Sequence, residues 1–174
     1  MRQSTDCEGF VLKKRLLLNQ DLVVTIFTQS LGRINVFAHG VRKITSRRLP
    51  QIETGNLIKF VVSRKNERFY LQETKLISGF SEIKKNQEKL NALYTFLFVL
   101  EKILPENQKE ENVYYVFRSY LINLSKSKDV KLILNIHLNQ MLRTLGYIEH
   151  DLKNEELMTT LTELIAQKLP QFNI

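Results

Sequence analysis

The feature that most constrains this chain is a change of hydrophobic period close to residue 80. Before it, apolar residues come in short β-branched or alternating runs; after it, they recur at helical spacing. A period of two buries one face of a strand and a period near 3.6 buries one stripe of a helix, so the two parts must fold differently. The chain has 174 residues, 43% of them hydrophobic, which is enough for a packed core and far from a disordered composition. The patterning predicts an α+β protein, with a strand domain over 1–80 and a helical domain over 81–174.

Strands are predicted over 10–18, 22–28, 33–39, 56–63 and 69–77. Gln29-Ser30-Leu31-Gly32 reads as a hairpin turn between the second and third. In the third strand Ile34, Val36 and Ala38 point one way, and Arg33, Asn35, Phe37 and His39 the other. Residues 40–51 form a polar, basic loop, and 64–68 a charged turn. Five short strands in about eighty residues predict a small barrel, and the OB-fold is the commonest basic one of that size.

Four helices follow. Leu90, Leu93, Tyr94, Leu97, Leu100, Ile103 and Leu104 form the first stripe, which Pro105 stops. Val113, Phe117, Tyr120, Leu121 and Leu124 mark the second. Asp129 caps a third, whose inward stripe runs from Val130 through Ile133, Leu134, His137, Leu138, Met141 and Leu142 to Leu145, with Gly146 closing it. The last spans 154–169 and turns Leu157, Leu161, Leu164 and Ile165 inward. Together they predict an α-helical bundle. His137, on an apolar stripe, reads as a satisfied core histidine.

Charge is divided as sharply as period. Residues 1–80 carry 14 Lys and Arg against 6 Asp and Glu, whereas 81–174 carry 12 of each. The whole excess of +8 lies in the first part, and residues 22–52 contain no carboxylate at all. Such a field suits a polyanion. Charge alone also admits a solvated basic face or anionic lipid, the latter disfavoured because this part holds no basic amphipathic helix.

Several chemistries are excluded by what the residues do not form. The six glycines are nowhere closer than eight residues apart, so no phosphate-cradling glycine loop exists. A single cysteine, Cys7, rules out an internal disulfide framework and a cysteine-based zinc site within one chain. Cys7 lies in a polar N-terminal segment with no activating base in view. Apolar runs fall far short of the ~18 residues a membrane span needs. The first ten residues lack the apolar core of a secretory signal. The expectation is a soluble, cytoplasmic binding protein with no cofactor and no enzymatic activity.

The candidate contacts are the cations of this basic part. Arg33, Arg42, Lys43, Arg47 and Arg48 form the main set, Lys13, Lys14 and Arg15 a second cluster, and Arg64, Lys65 and Arg68 a third on the charged turn. Lys and Arg neutralise phosphates and release counterions, which gives salt-sensitive affinity without sequence preference. Phe37, on the outward side of its strand, is placed either to stack a base or to pack against the helices, and Tyr70 faces the same choice. DNA, RNA and an acidic protein all remain open as partners on this basis.

These residues also carry a family resemblance. The run Glu8-Gly9-Phe10-Val11-Leu12, then Asp21-Leu22, Phe27-Thr28 and Gly32-Arg33, resembles the opening of the bacterial recombination mediator family RecO. So does Ala38-His39-Gly40-Val41-Arg42-Lys43 with Ser46-Arg47-Arg48-Leu49, and Glu73 before Leu76-Ile77 and Phe80 resembles the close of that family's barrel. Leu142-Arg143-Thr144-Leu145-Gly146-Tyr147 is similar to its leucine-rich helix ending in Leu-Gly-Tyr. The resemblance implies an OB-fold that binds single- and double-stranded DNA, followed by a helical domain. It implies strand annealing and loading of the RecA recombinase together with RecR on DNA coated by single-strand-binding protein, in the cytoplasm at the nucleoid, with no catalytic residue. It further implies docking of that protein's acidic C-terminal tail on the helical domain, where Lys131 and Arg143 would rim an apolar pocket. Two departures stand out. His39 replaces the family's usual lysine as a phosphate contact, and no cysteines follow Tyr147, so the expectation is a short or truncated member without the family's zinc module.

Overall fold

The computed structural model describes residues 3–17, 21–40 and 49–166. The chain divides into two compact units: residues 1–79 together with 104–109, and residues 80–103 together with 110–174. The second segment of the first unit departs from the simple division at residue 80. After the first long helix the chain returns to the barrel for six residues before helices resume.

The first unit is a closed five-stranded barrel with strand order β1-β2-β3-β5-β4, the OB-fold expected from the sequence. Its strands are β1 (Gln3–Leu16), β2 (Leu22–Thr28), β3 (Gly32–Ala38), β4 (Leu57–Lys65) and β5 (Arg68–Ser78). β1 is longer than predicted, because residues 3–10 pair antiparallel with β4 while the later part of the strand pairs with β2. This places Cys7 inside the barrel rather than in a polar tail. A register shift between Val11 and Lys13 re-aims the rest of β1. β2 is buried along its whole length, as its β-branched composition favours, and β3 alternates buried and half-buried residues. Ile26, Ile34, Val36, Ile58, Phe60 and Val62 fill the barrel.

The charged turn is shorter than expected. Arg64 and Lys65 lie on β4 and Arg68 on β5, leaving only Asn66 and Glu67 between the strands, both with positive φ, as a two-residue type I′ hairpin requires.

Residues 104–109 form a strap along the β3 edge. Arg33 and Glu106 make a parallel bridge, and the Asn107 N–H donates to the Arg33 carbonyl at 2.9 Å. Gly32 permits this approach. Its φ is +72°, and a Cβ there would stand 1.8 Å from the Gln108 carbonyl oxygen.

The second unit comprises α1 (Ser81–Lys84), α2 (Gln87–Ile103), α3 (Glu111–Lys126), α4 (Val130–Thr144) and α5 (Asn154–Ile165). Phe96, Phe117 and Tyr120 form its aromatic centre, with ring centroids 4.5 to 6.0 Å apart. Asp129 caps α4 by accepting from the Leu132 N–H. Gly146 ends it in a Schellman arrangement, with Gly146 and Tyr147 N–H groups returning to the Arg143 and Leu142 carbonyls. His137 is buried; its Nδ1 donates to the Ile133 carbonyl and its Nε2 accepts from Asn123 Nδ2. Leu164 corrects the predicted inward stripe of α5: it is 39% exposed, whereas Leu157, Leu161 and Ile165 are buried. α5 also ends at Ile165, with Ala166 in the left-handed region, short of the predicted 169; residues 167–174 lie outside the described residues. Among the described residues no helix is long and apolar enough to cross a membrane.

Two expectations test this packing. Gly32→Ala should destabilise the protein by about 1–3 kcal/mol from the left-handed backbone alone, with a further loss as the strap is displaced. Chemical denaturation measures it, and an unchanged midpoint would contradict the strap geometry. Burial pushes the Cys7 thiol above its ordinary range, with Asp6 adding to the effect and a Ser30 hydrogen bond opposing it. Native protein should therefore react slowly with an aromatic disulfide reagent at neutral pH and rapidly once unfolded. Because the folded pKa is the higher one, this thiol's contribution to stability is intact below the unfolded value and is lost as pH climbs toward the folded one.

Candidate nucleic-acid interface

The outward surface of the barrel is organised by register. Arg15 on β1 pairs with Val23 on β2, Val23 with Phe37 on β3, and Phe37 with Tyr70 on β5. Residues in register share a face of the sheet, and Phe37 lies on the face opposite the core residues Val36 and Ala38. One row thus crosses four neighbouring strands over about 14 Å at ordinary strand spacing. It runs from an exposed cation, Arg15, to a half-buried aromatic pair.

The β5 end of this row is an aromatic cluster. Phe37 and Tyr70 have ring centroids 5.7 Å apart, and His39 stacks on Tyr70 at 5.6 Å and 19°. The Arg68 guanidinium lies 5.5 Å from the Phe37 centroid, a cation–π contact on the same surface. Asp21 holds the cluster at its other side: one carboxylate oxygen pairs with His39 Nδ1 and the other accepts the Gly40 N–H. His39 is therefore a ring against Tyr70 tied to a carboxylate, with its side chain 58% exposed.

The adjoining row is polar and leads to the strap. Lys13 is in register with Thr25, and Thr25 with Asn35. Thr25 Oγ1 donates to Asn35 Oδ1 at 2.8 Å, and Asn35 Nδ2 donates to Glu106 at 2.7 Å.

Arg33, counted by sequence among the phosphate contacts, belongs to this network. Its Nε donates to the Leu104 carbonyl at 2.8 Å, its Nη1 lies 3.4 Å from the Glu106 carboxylate, and its side chain is only 14% exposed. The sequence hid this because the partner carboxylate is 73 residues away.

The other predicted contacts fall as follows. Arg64, Lys65 and Arg68 are exposed and gather at the β4–β5 hairpin, where Lys65 pairs with Arg68. Arg64 lies over the Phe69 ring at 5.8 Å. Lys14 is in register with the core residue Val24 and is half-buried, so it stands apart from Lys13 and Arg15. Arg42, Lys43, Arg47 and Arg48 lie outside the described residues. Tyr70 lies between Phe37 and His39, and the parallel β3–β5 pairing is what brings it beside Phe37.

Lys131 and Arg143 both lie on α4. Twelve residues apart on α4, they are separated by about 18 Å along the axis and by roughly a third of a turn around it. Arg143 pairs with Asp151 at 3.2 Å. Among the described residues, no group of three His, Cys, Asp or Glu side chains is placed to hold a metal ion.

A family model described as "Recombination protein O N terminal" matches residues 1–80, the barrel strands. Over 142 residues the chain is 27% identical to the DNA repair protein RecO of Thermoanaerobacter sp. (strain X514), covering 81% of this chain and 57% of that protein. It is 24% identical over 143 residues to the RecO of Caldanaerobacter subterraneus subsp. tengcongensis, covering 81% and 58%. With the RecO of Listeria monocytogenes serotype 4b it shares 28% over 143 residues, covering 80% and 55%. The chain thus spans a little over half the length of these curated relatives. The barrel is thus similar to the N-terminal domain of RecO, and these RecO proteins align with about four fifths of the chain's length.

Proposed function

We propose that this chain is a non-enzymatic, DNA-binding mediator of recombinational repair, working in the cytoplasm at the nucleoid. The relatives are DNA repair proteins by name, and the barrel has the means to hold a nucleic-acid strand. The observation that carries the reading is the row itself: Phe37 and Tyr70 lie side by side with tilted rings, His39 stacks on Tyr70, Arg68 flanks them, and the row ends on Arg15. Rings offer sequence-tolerant stacking to unpaired bases, and the cations hold the backbone between them. Arg64 and Lys65 extend the path around the hairpin, and Lys13 flanks its β1 end. Arg42, Lys43, Arg47 and Arg48, which follow Gly40 in the sequence, are further proposed contacts.

Phosphate contacts do not distinguish single from double strands, so both bind, whereas the rings favour the unpaired form. A protein that holds two single strands by their backbones also promotes their annealing. In this reading the protein loads the RecA recombinase, with RecR, on DNA covered by single-strand-binding protein. The helical unit, whose sequence carries equal numbers of acidic and basic residues, is the natural place for the tail of that protein and for other protein contacts.

The test is a fluorescence-anisotropy titration with a labelled single-stranded oligonucleotide over a salt series. Tyr70→Ala should weaken binding by about 1–3 kcal/mol and leave the salt slope unchanged, because it removes stacking alone. Arg15→Ala and Arg68→Ala together should flatten the slope by about 0.7 for each phosphate no longer neutralised. Wild-type binding in both variants would refute the assignment.

A further inference from the structure

A second site lies at the end of the barrel beyond the row. The β2–β3 turn, the β4–β5 hairpin and the strap border a half-open cavity of about 470 Å³, lined by Ser30, Leu31, Arg64, Glu67, Phe69, Asn107 and Lys109. The volume falls within the range of small-molecule pockets. Its position is fixed by the same strands as the row. Phe69 follows Arg68 directly, and Arg64 pairs in register with Phe69, so a strand leaving the Phe37–Tyr70 stack over Arg68 arrives at its mouth.

We propose that this cavity receives one unpaired nucleobase with its phosphate, and that it prefers bases carrying an exocyclic amine. The inference rests on the nucleic-acid reading above and adds a site to it. Leu31 and Phe69 supply an apolar wall for a base face; both are partly buried and pack against the barrel core. The Arg64 guanidinium, lying over the Phe69 ring, is set where a phosphate bound beside a stacked base would fall. Lys109 adds a second cation to the lining.

Glu67 sets the preference among bases: its carboxylate accepts a hydrogen bond from the exocyclic amine of cytosine, adenine or guanine, which thymine lacks. Asn107 and Ser30 add groups that both donate and accept. Glu67 and Asn107 hold left-handed backbone, at φ 60° and 58°, and so sit on tight turns that bring their side chains to the cavity.

The experiment is an NMR titration of the full chain with dCMP, with dTMP, and with a short acidic peptide ending in a free carboxylate. With dCMP the amide signals of Ser30, Leu31, Phe69 and Asn107 should shift and saturate. With dTMP the same signals should respond about tenfold more weakly, the worth of one hydrogen bond to a charged group. Glu67→Gly, which suits the left-handed backbone, should abolish that difference while the fold persists. Equal responses to the two nucleotides, shifts confined to Phe37, Tyr70 and Arg68, or a response to the peptide alone would overturn the proposal. Oligonucleotide binding measured on the same sample separates the two levels. A chain that binds the oligonucleotide while these signals stay still loses only the pocket; one that binds nothing loses the row as well.

Discussion

The parallel contact between β3 and β5 is the constraint on which the rest depends. It consists of two registered pairs, Val36 with Phe69 and Phe37 with Tyr70, and it closes the barrel. Inward, it completes the wall behind Val36 and Phe69. Outward, it is the only reason that two aromatics from distant parts of the sequence become neighbours. A slip of one residue would send Tyr70 inward and Phe69 out, and both core and stack would be lost together. The hairpin at Asn66 and Glu67 fixes that register, since a two-residue turn leaves no slack between β4 and β5.

The strap addresses what this short contact leaves open. Below Val36 the β3 edge has no β5 partner, and an exposed edge invites pairing with another chain. Residues 104–109 take that position, with a backbone bridge at Arg33 and a carboxylate that joins Arg33 and Asn35. The outward face of β3 is thereby partitioned. Its first half is neutralised and covered by the strap, and its second half, from Phe37 onward, carries the rings and approaches the cations of β5. Composition alone presents this part as uniformly basic; the fold sorts its cations, drawing Arg33 into the strap network and setting Arg68 beside Phe37.

What was legible in the sequence was local. Alternation in β3, the β-branched run of β2, the Asp129 cap and the Gly146 terminus all report interactions within a few residues, and each lies where its pattern says. What was not legible was long-range. The first residues of β1 are too polar to announce a strand, and are one because β4 lies beside them. Arg33 reads as another cation until Glu106 is brought to it. Leu164 has the spacing of a core residue in a helix whose buried stripe is narrower than its apolar one. Lys131 and Arg143 share a helix, but helical geometry parts them.

The central claim is that unpaired bases rest on Phe37 and Tyr70. The most direct measurement is photocrosslinking of a single-stranded oligonucleotide carrying 5-iodouracil, followed by mass-spectrometric mapping of the adducts. Adducts concentrated on Tyr70, Phe37 and His39 would be the predicted result. A bound oligonucleotide whose adducts fall on the helical unit, with none on these three rings, would contradict it.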